Sequence, residues 1–341
     1  MSKRINLKTL LVIAAVSLAI GSSAFAGPVV IWGRSSGTAP IGDDFIAIAA
    51  GEVHSLALKR DGSIVGWGEN WAGQATPPKC NNFVSIAAGR CHSVALKADG
   101  SIVAWGSNNY GQATPPCGND FIAIAAGGEH NLALRSDGSI TGWGSNWFTF
   151  PDEPVWAGQA IPPEGNDFIA IAAGYWHSLA LKKDGSIIGW GDNECGRASP
   201  PDGNDYVAIA AGCAHSLALK ADGSIVAFGD NYWDQCAVPS GNKFVAIAAG
   251  WCHSLALKRG GSIVGWGYNW SGQASPPDGN DFIAIAAGGD HSLAIKQICL
   301  YKLVGDLNDD CKLDFLDFGL ITTNWLIDCN IDLNNPACIP K

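Results

Sequence analysis

The chain has 341 residues, 47% of them hydrophobic, and a formal net charge of −10. It holds enough apolar material for a sizeable core and carries the wrong sign of charge for a phosphate backbone as partner, which excludes nucleic acid. Forty-three glycines and 14 tryptophans against a single methionine exclude a helical bundle and suit short strands joined by tight turns.

At the amino terminus, Lys3, Arg4 and Lys8 precede the apolar run Leu10 to Ile20 and the small-x-small triplet Ala24-Phe25-Ala26. This predicts a secretory signal peptide over residues 1–26, cleaved after Ala26, and a secreted or cell-envelope protein. The run is short of the roughly 18 residues that a span requires, and no later segment predicts a membrane span. Eleven cysteines fit an oxidising compartment, and the odd count leaves at least one thiol free or paired to another molecule.

From Gly27 onward the sequence is a repeat. The seven histidines, the whole complement of the chain, fall at 54, 92, 130, 177, 215, 253 and 291, six gaps of which five are 38 residues and one is 47. One unit runs from Asp44 through Ala-Ala-Gly51, two variable residues, His54 to Lys59, Asp61-Gly62, Ile64 to Gly68 and on to Pro77-Pro78. That is the period of a propeller blade. Each unit contains three apolar runs separated by glycine signals, read as three strands, with a weak fourth near Gln74 to Pro78. The Asp-Gly pairs predict two-residue type I′ hairpins. Small residues in the first run suit the crowded axis of a ring, while Trp67, Trp105, Trp143, Trp190, Phe228 and Trp266 in the third run predict large anchors packed between blades.

The last unit, Phe282 to Lys296, lacks a Trp-Gly strand, and Val29 to Gly33 supplies a Trp-Gly strand with nothing before it. Two half-units complete one blade, and closure hides the sheet edges. The expectation is an all-β, seven-bladed β-propeller over residues 27–298, closed by pairing the amino- and carboxy-terminal strands, followed by a small α-helical calcium-loop tail over 299–341.

The pattern Ile-Ala-Ala-Gly-x-x-His-Ser-Leu-Ala-Leu-Lys-x-Asp-Gly-Ser-Ile-x-x-Trp-Gly resembles the regulator of chromosome condensation repeat family. The resemblance implies a seven-bladed propeller used for protein recognition. The short repeat and the Gly-Gln-Ala-Thr-Pro-Pro link are more similar to the secreted, propeller-type β-lactamase inhibitory proteins, which implies binding through aromatic loops on one face.

In an antiparallel blade, the loop between the first and second strands and the loop after the third emerge on one side. The first kind carries Tyr175, Trp176 and Trp251. The second carries Trp71, Tyr110, Trp147, Phe148, Trp156, Tyr232, Trp233 and Trp270. The nine extra residues between His130 and His177 lengthen this same side. Aromatics in loops anchor interfaces, and they also pack over neighbouring blades. The opposite side repeats Lys59, Lys97, Lys182, Lys220 and Lys258 as a solvated rim. One histidine per blade cannot converge on a metal, so each is expected to bond to backbone near its own loop. Catalytic residues are not predicted, because no nucleophile elbow or phosphate loop is present and Glu52, Glu129 and Asp290 form at most a conceivable carboxylate pair.

After Cys299 the repeat stops. Asp306, Asn308, Asp310, Lys312 (through its carbonyl), Asp314 and Asp317 occupy positions 1, 3, 5, 7, 9 and 12 of a calcium loop, ahead of a helix predicted from Phe315 to Leu326. The segment resembles half of a dockerin module, which implies bound Ca²⁺ and a cohesin-like partner. Cys311 at the usual glycine position and a truncated second loop depart from that pattern. Cys299, Cys311, Cys329 and Cys338 can form two disulfides of unassigned pairing.

The functional expectation is a secreted, non-catalytic scaffold that binds a protein through its aromatic loop face. Glycan is the second partner class, because exposed Trp and Tyr also stack on sugars. A glycan-active propeller carried by its tail, and an inhibitor of a β-lactamase or transpeptidase, are the alternatives.

Overall fold

The computed structural model describes residues 26–35, 37–150 and 153–297. The predicted signal peptide but for Ala26, the calcium loop with its Phe315–Leu326 helix, and the four tail cysteines lie outside the described residues.

Seven antiparallel three-stranded sheets form the blades. In the first, the inner strand Phe45–Ala50 pairs with the middle strand His54–Lys59, which pairs with the outer strand Ile64–Gly68. Closure takes the expected form: Val29–Gly33 pairs with His291–Lys296, with Ile31 opposite Leu293 and Trp32 opposite Ser292. Among the described residues the links after the outer strands are turns, bends and irregular backbone, and no fourth strand joins a blade. Their paired prolines cannot donate to a ladder. The 147–156 insertion, expected as a loop, is a hairpin of Trp147–Phe150 against Glu153–Trp156.

The turn after the middle strand also differs from expectation. Gly62 N–H donates to Lys59 O, Lys59 N–H donates to Ser63 O, and only Gly62 of the loop has positive φ, at 82°. This is a three-residue loop, a type I turn closed by a left-handed glycine, not a type I′ pair. Asp61 keeps negative φ because its carboxylate accepts from both the N–H and the hydroxyl of Ser63.

Two closed rings hold the blades together. The first is a collar of backbone hydrogen bonds at the axis, in which each residue after an Ala-Ala-Gly donates to a carbonyl of the next blade. Glu52 donates to Gly89, Tyr175 to Gly212, Trp251 to Gly288 and Gly289 to Gly51, at 3.0–3.2 Å. A Cβ on Gly51 would lie 2.4 Å from Gly89 O, so this glycine is fixed by the approach of the neighbouring blade.

The second ring replaces the expected imidazole-to-backbone bond. His54, His92, His130, His177, His215, His253 and His291 reach across to Ser93, Asn131, Ser178, Ser216, Ser254, Ser292 and Ser55, at 2.8–2.9 Å. Asn131 Oδ1 only accepts, so His92 Nε2 donates. Where the partner is Ser93, Ser178, Ser216, Ser254 or Ser292, its hydroxyl donates onward to a link carbonyl, such as Gln74 O at 2.9 Å, and therefore accepts from the imidazole. These six rings carry a proton on Nε2. Burial drives the histidine pKa down, to about 3 for His54, His130 and His253 and about 4 for His92, His215 and His291.

The link carbonyls accept a second bond, from the outer-strand indoles: Trp105 to Gln74 O, Trp190 to Gln159 O and Trp266 to Gln235 O at 2.9–3.0 Å. Between blades, Leu56, Leu58 and Ile64 pack against Phe83, Ile86 and Ala95. The inner strands leave an axial cavity of about 360 Å³ lined by Ala and Ile. Of the Lys rim, Lys59, Lys182 and Lys220 pair with carboxylates, Lys182 with Asp167 at 3.3 Å, and Lys296 makes the same pair with Asp281.

Candidate functional site

Both kinds of variable loop meet on one face. Gln112, in a link, donates to Glu129 in the next inner loop; Gln273 donates to Asp290 in the same relation. The face divides into an axial mouth and an outer rim.

The mouth is built from the first variable residue of each unit: Glu52, Arg90, Gly128, Tyr175, Cys213, Trp251 and Gly289. Held by the collar, these positions converge on the axis. Arg90 bridges two carboxylates, with Nε 3.2 Å from Glu52 and Nη1 3.6 Å from Glu129. The Tyr175 hydroxyl donates across the axis to Glu52, 3.2 Å away in a blade 123 residues distant. Arg90 lies over the Tyr175 ring at 5.9 Å, and Trp251 stacks near-parallel to Tyr175 with centroids 6.4 Å apart. The two glycines make room: a Cβ at Gly128 would lie 3.1 Å from the Tyr175 ring, and one at Gly289 2.4 Å from Glu52 O.

Burial raises the pKa of Glu52 and of Glu129, and Arg90 opposes the shift in both. Burial likewise lifts the Tyr175 phenol. The carboxylates are thus tied into an ion-pair network, not poised apart as a general acid and base. The thiols beside it are held protonated, chiefly by burial, at about 11 for Cys91 and Cys252 and about 12 for Cys213. None is an activated nucleophile at neutral pH.

The rim carries most of the predicted aromatics. Trp270, Tyr232 and Trp71 are the most open, at 83%, 79% and 69% exposed, and Tyr110, Trp147, Trp156, Trp233 and Trp251 are also exposed. Trp147 and Trp156 face each other across the inserted hairpin, edge to face at 4.9 Å. The Phe148 side chain lies outside what is described. Trp176 is half-buried, edge-on to Tyr175 at 4.6 Å and under the Arg197 guanidinium at 5.9 Å, so it supports the face from beneath.

The densest group spans the links of the fifth and sixth blades. Trp233 contacts Tyr232 at 4.8 Å, Tyr268 at 4.9 Å and Trp270 at 6.3 Å, and Tyr268 stacks on Trp270 at 5.9 Å. Tyr268 was missed by sequence reasoning, as was Arg90. The signal for Tyr268 was its place immediately after the outer strand, where other units carry Glu69, Ser107, Ser145, Asp192 or Asp230.

Among the described residues, no group of three or more His, Cys, Asp or Glu is arranged to hold a metal, and no helix is long and apolar enough to cross a membrane. The regulator of chromosome condensation (RCC1) repeat matches residues 45–74, 83–112, 121–146, 168–197 and 244–273. No curated protein sequence matches. Among solved structures, the chain is similar to Prp20p of Saccharomyces cerevisiae, described with its binding to Gsp1p and histones. The identity is 20% and the TM-score 0.66, over 89% of this chain and 97% of that one. Human WBSCR16 gives 18% and 0.61 over 80% and 99%, and the receptor kinase CR4 ectodomain of Physcomitrella patens gives 22% and 0.58 over 71% and 67%. At these identities the likeness is one of fold.

Proposed function

Because the chain is an RCC1-like seven-bladed propeller with five matched RCC1 repeats, we propose that it is a non-catalytic scaffold that recognises a protein partner through its aromatic loop face. RCC1-like propellers commonly serve protein interaction; Prp20p is described with Gsp1p and histones, and yeast RCC1 in complex with Kap60. The observation that carries the reading is the exposure of Trp71, Tyr232 and Trp270 on loops of a ring whose core does not use them. Rigid aromatic rings lose little conformational entropy on contact, which suits them to anchor a partner.

The test is quantitative capture. Immobilised wild type and the Trp233→Ala, Trp270→Ala double variant are compared on extract and medium of the producing cell, and the captured protein is then purified and titrated. A loss of at least about tenfold in affinity, ~1.4 kcal/mol, is expected from removing two anchors. Equal affinity for both proteins removes the loop face from the reading. Retention on an oligosaccharide array, with no protein captured, selects the glycan alternative. Inhibition of a β-lactamase or transpeptidase panel by micromolar protein selects the inhibitor alternative.

The same proposal includes export by cleavage after Ala26 and calcium binding by Asp306, Asn308, Asp310, Lys312, Asp314 and Asp317, with the tail attaching the propeller to a cohesin-like partner. Amino-terminal sequencing of the secreted protein tests the first. Calorimetric calcium titration of the full chain against its Asp306→Ala, Asp310→Ala variant tests the second.

A further inference from the structure

The aromatic group of the fifth and sixth blades does not stand in neutral surroundings. Asp230 and Asp234 sit in the same link as Tyr232 and Trp233, and Asp290, Glu52 and Glu129 ring the adjoining mouth. The two areas are continuous. Trp251 at the mouth belongs to the sixth blade, and the carbonyl of the next residue, Cys252, accepts from the N–H of Tyr268 at 2.9 Å, which joins the mouth to the Tyr268–Trp270 stack. Across this stretch, five carboxylates outnumber the neighbouring cations, which are Arg90 between Glu52 and Glu129 and Arg34, whose backbone N–H donates to Asp290 O at 2.8 Å.

Arg90 shows what the mouth accepts. Its guanidinium lies over an aromatic ring and between two carboxylates, the geometry in which a cation gains most from both. Trp251 stacks on Tyr175 and is itself partly exposed, and Trp233 and Trp270, in contact with each other, belong to the adjoining group. Deepening the reading above, on which it rests, we infer that the strip from Trp251 to Trp270 docks a basic segment of the protein partner. Lys or Arg side chains of that segment would lie on the indole faces and pair with the flanking carboxylates. Charge complementarity selects this occupant: an acidic or phosphorylated segment would meet five carboxylates, and an uncharged one would leave them uncompensated.

The probe is a fluorescent (Lys-Gly)₄ peptide, titrated against the full-length protein, with (Nε-acetyl-Lys-Gly)₄ and (Glu-Gly)₄ as controls. Binding sites are mapped by ¹⁹F resonances of 5-fluorotryptophan-labelled protein. The lysine peptide is expected to bind, to weaken at least tenfold between 50 and 300 mM salt, and to shift Trp233, Trp251 and Trp270 but not Trp71. Trp233→Ala, Trp270→Ala is expected to weaken it at least fivefold at unchanged charge, and Arg90→Gln to tighten it severalfold by removing the resident competitor. Circular dichroism and melting of each variant check its fold.

Equal binding of the acetylated peptide overturns the inference, and so does an unchanged affinity in the aromatic double variant, which would mean diffuse attraction to an acidic protein. Shifts of the same three resonances by an oligosaccharide, with none by the lysine peptide, also overturn it. If the captured partner still needs Trp233 and Trp270 but is not displaced by the lysine peptide, the inference fails while loop-face recognition stands. If the partner ignores those tryptophans, recognition by the loop face fails itself.

Discussion

The histidine belt and the loop face are built from the same 38-residue unit, yet one is repeated seven times without a break and the other varies from blade to blade. In the belt, each blade contributes one imidazole and one acceptor, and even the Asn131 exception preserves the bond it replaces a serine in. On the loop face, the corresponding inner positions are Glu, Arg, Gly, Tyr, Cys, Trp and Gly. Repetition of a polar residue in a fully buried place marks it as structural, since an unpaired one costs roughly 1–3 kcal/mol. Variation at positions the collar already holds in place marks a surface free to specialise.

The belt is where the comparison breaks most violently. An unfolded chain protonates its histidines below about pH 6.5, while these imidazoles stay neutral to about pH 3–4 in the fold, and six have a buried Nδ1 with no hydrogen-bond partner. Folding stability is therefore complete above pH 6.5 and is lost as the pH falls. Each proton is worth ~1.4 kcal/mol per pH unit, so seven together withdraw about 10 kcal/mol per unit below pH 5.5. Against a total stability of about 5–15 kcal/mol, the propeller is expected to unfold cooperatively near pH 5. Tryptophan fluorescence across a pH series checks this. A fold that persists at pH 4 would show that the belt admits protons or water.

The closure comes next. Trp32 donates to Gln273 O at 2.9 Å, and Val29 packs with Phe45, Leu293 and Ile295. Removing residues 27–33 takes the outer strand from one blade and exposes the His291–Lys296 edge, at a cost of at least about 4 kcal/mol by analogy with the loss of a large core side chain. A chemical denaturation midpoint unchanged by the deletion would mean that the ring holds without its seventh outer strand.

A single anchor should cost less than the whole strand. Trp105→Ala removes a half-buried ring and its bond to Gln74 O, and is expected to destabilise by ~3 kcal/mol. The fifth blade provides an internal control. There Phe228 replaces the tryptophan and Arg197 replaces the link glutamine, so that blade has already given up this bond. Trp105→Phe should cost only about 1 kcal/mol, because Ser93 still occupies the Gln74 carbonyl. A larger loss would mean that the indole is held by packing more than by its N–H.

What could be read from the sequence divides along the same line. Blade number, strand order and closure follow from the histidine spacing and the two half-units, because they depend on repeated residues. The histidine bonds were misjudged because the acceptor lies in the next unit: the Ser after each histidine serves the preceding blade, which a single unit does not reveal. The turn was misjudged because Asp61 was counted as half of a two-residue turn, whereas its carboxylate locks the backbone at negative φ. The mouth was legible only in part: Tyr175, Trp251, Glu52 and Glu129 were singled out in the inner loops, but not the network that joins them through Arg90. The Tyr175–Glu52 bond spans the axis between distant blades and depends on the room left at Gly128 and Gly289, and no periodic signal records an interaction that occurs once.

The smallest expected effect lies at a point where the two regimes meet. In the link turn, Gly73, Gly111 and Gly272 adopt φ of about 80°, and the fifth blade places Asp234 there at 61°. The turn bond is retained, from Asp234 N to Asn231 O at 3.2 Å, so the local fold is the same and the residue bears the left-handed conformation at a cost of ~1 kcal/mol. Asp234→Gly is therefore expected to stabilise the protein by about 0.5–1 kcal/mol, a rise of one to a few degrees in Tm. The strained residue sits directly after Tyr232 and Trp233, on the strip assigned to a basic partner. The same substitution should then weaken the lysine peptide by two- to fivefold, separating stability from recognition in one variant. A stabilised variant with undiminished binding would leave the strain without a functional counterpart and confine recognition to the aromatic rings.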